Sequence, residues 1–172
     1  MLLVDFSDPG ESTRWRPVDD VVMGGRSSSA IRAGEGIGIF TGELSLEKGG
    51  GFASVRREDQ TIDLSAFEAI ELRVRGDGKR YRLNLRTSSA FDGVVFQGAF
   101  ATEPFVPSVT SVWQAVWLPL PAFVPRFRGR PASGTFDPSR VTGLGLLIAD
   151  GQVGPFRLEV SGITAASRFL SA

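Results

Sequence analysis

A chain of 172 residues with 42% apolar and 22% charged side chains is long enough to bury one core and too short for a second, and its composition is not that of a disordered segment. Lysine plus arginine and aspartate plus glutamate stand at 19 each, so no global field draws in nucleic acid or anionic lipid. Histidine and cysteine are both absent, which removes disulfides, thiolate metal sites and the side chains most used for nucleophilic and acid–base chemistry near neutral pH.

The opening Met1-Leu2-Leu3-Val4-Asp5 lacks a basic flank and meets an acid at once, so it does not read as a signal peptide, and residues 2–6 are the first strand candidate. A glycine-studded stretch from Trp15 to Arg56 follows, with strands expected at 28–32, 36–41, 43–47 and 52–57. Residues 71–75 and 80–86 alternate polar and apolar, which predicts two half-buried strands. Between them Gly76-Asp77-Gly78-Lys79 tolerates positive φ and predicts a hairpin. Residues 94–100 and 113–118 are further strands, 122–142 reads as a long loop, and 144–148 and 156–163 complete the set. Many short strands separated by Gly, Pro, Asp and Ser, without an apolar helical stripe, predict an all-β antiparallel sandwich spanning residues 1–172 as one domain. No apolar run approaches the roughly 20 residues of a membrane helix, so no membrane insertion is expected, and the expected location is the cytoplasm.

Chemistry-bearing residues are few. In Asp19-Asp20-Val21-Val22-Met23-Gly24-Gly25 the glycines permit a sharp turn beside a core Met23, and Asp20 is placed to accept bonds from the turn amides or to pair with Arg56. Neighbours on a strand point to opposite faces, so Asp19 and Asp20 do not flank a glycosidic bond. Asp59 and Asp63 offer oxygens for calcium without an EF-hand pattern, and no metal or cofactor is expected. Trp113 and Trp117 share a strand face, with Trp117 the candidate exposed anchor. Arg126, Arg128 and Arg130 alternate through the long loop and suit an acidic partner or a phosphate, while Asp77 offers a carboxylate at the predicted hairpin.

The order Trp15, Asp20-Val-Val-Met23-Gly24-Gly25, Phe40-x-Gly42, Gly50-Gly51-Phe52-Ala-Ser-Val-Arg56, Gly76-Asp77-Gly78, Trp113-Gln114, Leu118-Pro-Leu120 and Gly154-Pro-Phe156 resembles the complex I intermediate-associated protein family over residues 15–163. The resemblance implies a jelly roll of the galactose-binding-domain-like type, and a non-catalytic, chaperone-like assembly factor whose partners are respiratory complex I subunits or assembly intermediates. A carbohydrate or small-ligand binder is the alternative such a sandwich allows. Two departures stand out: Lys48-Gly49 lies where the family carries an asparagine, and Trp117 occupies a commonly polar position. The family's mitochondrial members carry a targeting segment, so a bacterial member is the expectation here.

Overall fold

The computed structural model describes residues 1–104 and 112–167, apart from the side chains of 58–60, so Asp59 lies outside the described side chains. Thirteen strands among these residues form two sheets. The six-stranded sheet contains β1 (Leu2–Val4), β3 (Ser28–Gly34), β4 (Ile37–Leu44), β6 (Ala69–Arg75), β9 (Gln114–Pro119) and β13 (Gly154–Ala166). Its order is β3-β4-β13-β6-β9, with β1 pairing β13. The seven-stranded sheet contains β2 (Trp15–Pro17), β5 (Ala53–Ile62), β7 (Arg80–Arg86), β8 (Val95–Ala101), β10 (Val124–Phe127), β11 (Arg130–Pro131) and β12 (Val141–Ile148), in the order β11-β10-β8-β7-β12-β5-β2.

Period-two patterning explains the layers. Ile70, Leu72 and Val74 of β6, Phe40 and Leu44 of β4, and Leu158 and Val160 of β13 are buried against Tyr81, Leu83, Leu85, Leu144 and Leu146 of the other sheet. Each such side chain contributes about 1.5–3 kcal/mol by leaving water. Outward positions carry Arg, Glu, Asn and Gly, so each strand has one wet face.

Three expectations are corrected. Residues 76–79 do not close a hairpin, because β6 pairs with β13 and β9 while β7 pairs with β8 and β12, so the segment carries the chain from one sheet to the other. Alternation reveals that both strands bury one face; two strands facing the same core from opposite sides alternate just as a hairpin does. The crossover is held by Asp77, whose carboxylate accepts from the Tyr81 hydroxyl at 2.9 Å, the Lys79 amide at 3.1 Å and the Arg157 amide at 2.9 Å. Residues 36–41 and 43–47 are not two strands, since β4 runs through Gly42. Glycine is needed there for close packing and not for a turn: a Cβ would lie 1.9 Å from the Ser28 carbonyl oxygen and 2.8 Å from the Phe156 ring. Finally, residues 122–142 hold β10, β11 and a short 3-10 helix (Pro138–Arg140), with Arg128 and Gly129 at positive φ in the β10–β11 turn.

Gly42→Ala is expected to destabilise the fold by about 2 kcal/mol, because the added methyl overpacks β3 against Phe156. Urea unfolding checks it: the midpoint falls while the slope with denaturant stays unchanged.

Candidate functional site

Two consecutive carboxylates join the sheets at one end. Asp20 opens a short 3-10 helix (Asp20–Met23), and its buried carboxylate accepts from the Ser27 amide at 2.9 Å, the Ser27 hydroxyl at 2.5 Å, the Gly51 amide at 2.7 Å and the Phe52 amide at 3.3 Å. Asp19 accepts from the Ser29 amide at 3.0 Å, the Ser29 hydroxyl at 2.6 Å and the Ser54 amide at 2.9 Å. Ser29 belongs to the six-stranded sheet and Ser54 to the seven-stranded one. The signature glycines fit this cage, for a Cβ at Gly25 or Gly50 would lie 2.4 or 2.5 Å from an Asp20 oxygen, and Gly24 and Gly51 have φ of 88° and 146°. Nearby, the Trp15 indole donates to buried Glu11 at 2.8 Å, and the Arg57 guanidinium pairs with the same carboxylate at 2.7 Å.

The two aspartates titrate in opposite senses. Burial pushes Asp20 up, but the bonds from Ser27, Gly51 and Phe52 outweigh it and hold the carboxyl below its ordinary range. At Asp19 burial prevails over the bonds from Ser29 and Ser54, and the Asp20 charge adds to it, so that carboxyl is raised.

Because the carboxylate faces inward, the rest of the turn faces out. Met23 is not a core residue: Val21, Val22 and Met23 are 61%, 63% and 58% exposed. The 3-10 turn has no second layer to pack on, which is the physical reason the expectation fails. Across a groove of about 300 Å³ lined by Arg16, Pro17, Val18, Asp19, Val21 and Val22 stands Phe91, 59% exposed. The Arg56 guanidinium sits 5.1 Å from the Phe91 ring centroid and donates to the Phe91 carbonyl, and Arg86 donates to the carbonyls of Ala90 and Phe91. Arg128 ion-pairs with Asp92 one residue on. The Arg128 bond holds the Asp92 carboxyl below its ordinary range, and the charges of Arg86 and Arg56 add to the effect.

Register places these groups on the outer face of the seven-stranded sheet. Arg16, Arg56, Gly145, Asn84, Gln97 and Val124 form one row of paired residues, and Glu58, Gly143, Arg86, Val95 and Arg126 form the next. Gly143 and Gly145 leave the middle of the face low, and the buried Asn84 Oδ1 there has no hydrogen-bond partner among the described residues. Among the described side chains arginines outnumber carboxylates here, with Arg16, Arg56, Arg82, Arg86, Arg126 and Arg128 against Asp92 and Asp150.

Of the residues singled out by sequence, Arg56, Arg126 and Arg128 therefore come together on one face, with exposed Arg130 on the adjoining edge strand. Asp77 is engaged in the crossover. Half-buried Trp117 lies on the edge strand of the other sheet, paired with Glu71, and Trp113 stacks under Arg75 at 4.9 Å. Val21, Val22 and Phe91 were missed. A run of three apolar residues between Asp20 and two glycines, and a phenylalanine inside Ser88-Ser89-Ala90-Phe91-Asp92-Gly93, are the signals that point to them.

The chain matches, over residues 4–160, the family described as complex I intermediate-associated protein 30. A Drosophila melanogaster relative, "Complex I intermediate-associated protein 30, mitochondrial", is 26% identical over 92% of this chain and 60% of its own length. The Mus musculus protein of the same name is 24% identical over 90% of this chain and 52% of its own length. The chain thus spans little more than half of these curated relatives. Their names carry a mitochondrial location, which overturns the expectation of a cytoplasmic, bacterial protein. Among solved structures, a family 11 carbohydrate-binding module from a Clostridium thermocellum cellulase superimposes with a TM-score of 0.65 at 17% identity, covering 94% of each chain. That likeness establishes the jelly-roll fold.

Asp20→Asn is expected to cost about 3 kcal/mol at neutral pH, since an amide nitrogen cannot accept from the backbone donors around it. The carboxylate's contribution is present above the unfolded value near 3.9 and is lost as pH falls through the lowered folded value. Chemical denaturation across acid pH therefore gives a shallower acid limb for the variant than for the parent chain. Asp19→Asn behaves oppositely: the parent loses stability as pH rises through the raised Asp19 value, so the variant gains on it over that interval.

Proposed function

The chain belongs to the complex I intermediate-associated protein 30 family, and from that premise we propose that it is a non-catalytic protein-interaction module acting in the assembly of respiratory complex I. The action is stoichiometric. The sandwich docks on an unfinished subunit, covers surface that later becomes interface, and leaves when the proper neighbour arrives. The family's named relatives support the process.

The observation that carries the reading is the apolar tip Val21-Val22-Met23, held out from the protein by a carboxylate whose bonds are satisfied inside. Three adjacent exposed apolar side chains on a fixed backbone cost free energy in water, and a partner that covers them recovers it without ordering a loop. Arg56, Arg126, Arg128 and Arg130 are the proposed polar contacts beside it, and such rim charges act mainly on encounter and partner choice. Trp117, on the opposite sheet, is the proposed second contact. Asp77 and Asp20 act in this reading by holding the loops that present the surface.

A tagged pull-down from the native host at low salt, with mass spectrometry of the captured proteins, tests it. Complex I subunits are expected with the parent chain and reduced several-fold with Arg128→Glu. Trp117→Ala asks separately whether the six-stranded sheet takes part. A pull-down without complex I proteins removes the assembly reading and directs attention to glycan and metabolite binding.

A further inference from the structure

We propose that the groove between the Val21–Met23 tip and Phe91, with the arginine-rich sheet face beside it, docks an acidic amphipathic segment of the partner protein. Apolar side chains of that segment enter the groove, and its carboxylates lie against Arg56, Arg126 and Arg128. The inference rests on the reading above, that the partner is a protein, and adds its chemistry.

Both walls of the groove are fixed before anything binds. The tip is tied by seven bonds to Asp19 and Asp20, and the Phe91 loop is tied by Arg56 and Arg86 to its carbonyls and by Arg128 to Asp92. A preformed apolar slot loses little conformational entropy on binding, which favours it over a surface that must first order itself. Val21, Val22, Met23 and Phe91 together make the exposed apolar surface of a protein contact, with an aromatic and a methionine at its ends.

Charge selects the partner's sign. The chain carries no net charge, yet this face collects arginine, so its field is local and directed at whatever lies along the sheet. Asp92, next to Phe91, is held ionised by Arg128 with Arg86 and Arg56 behind it, and Asp19, which lines the groove, is taken up by Ser29 and Ser54. A basic segment would meet like charges there, and an uncharged one would desolvate guanidinium groups without bringing charge to offset them. The aliphatic tip argues against nucleic acid, which uses aromatic platforms for its bases and cations for its phosphates. Guanidinium groups suit carboxylates because their paired donors match both oxygens.

The test places a photo-crosslinking p-benzoylphenylalanine at Val22 of the full chain in its host, with a control at Glu71 on the exposed face of the other sheet. Captured peptides are sequenced. The expected result is that the Val22 probe captures a segment of a complex I subunit in which Asp and Glu outnumber Lys and Arg and alternate with apolar residues. Arg128→Glu lowers that yield about tenfold and Arg128→Lys largely retains it. Capture at Val22 of a basic or uncharged segment, of lipid or of nucleic acid overturns the inference. So does capture of complex I subunits from Glu71 alone, which leaves the assembly reading standing. If neither position captures a complex I subunit and the pull-down also lacks them, both readings fall together.

Discussion

The Asp20 carboxylate is the interaction on which the rest of the molecule leans. A charge buried at the end of a sandwich is tolerable when every lone pair has a donor, and here one side-chain hydroxyl and three backbone amides supply them. Those donors come from segments that the chain order keeps far apart, Ser27 before β3 and Gly51 and Phe52 before β5. The carboxylate therefore sets where one sheet ends relative to the other. Glycines 25 and 50 are needed because the carboxylate already occupies the space a Cβ would take. One acid and its glycines thus behave as a single unit, which is why they stand together as a signature.

That clamp also decides what the surface looks like. With Asp20 turned in and the 3-10 helix only one turn long, the three residues that follow Asp20 within it have nowhere to go but outward. The same end of the sandwich brings β2 and β5 to the border of the seven-stranded sheet, so Arg16 and Arg56 fall beside the tip and the Phe91 loop folds toward them. Architecture and candidate interface are in this sense one feature. In the proposed reading a change at Asp20 acts on partner binding without touching the partner.

How much of this was legible in the sequence follows from which interactions are local. Alternation at Glu71 to Arg75 and Arg80 to Arg86 reports burial on one side and locates β6 and β7 within two residues, yet it carries nothing about which sheet holds each strand. Gly42 looks like punctuation because composition cannot distinguish a glycine that turns the chain from one that lets another strand pass close. The donors to Asp20 were foreseeable as turn amides, but Ser27 and Phe52 are separated by sequence and meet only through β3, β4 and β5. Met23 was placed in the core on hydrophobicity, a rule that works for extended strands with a layer beneath them and fails for one exposed turn. The arginines of β10 and β5 came together only through register across β8, β7 and β12, which no local pattern encodes.

The placement of β13 has a consequence for how the chain reaches this state. Its 13 residues pair with β4, β6 and β1, so the strand at the centre of the six-stranded sheet follows all the other strands among the described residues. Until it is made, β4 and β6 have no neighbour between them and the inner faces of both stay open. Even the Met1 carbonyl waits for the Ala165 amide, 2.8 Å away in the finished fold. Most pairings span long stretches of sequence, which makes closure slow compared with a helical protein of this size. The half-made sandwich is consequently sticky until β13 is in place, and the proposed shelter for unfinished subunits itself passes through an unfinished state.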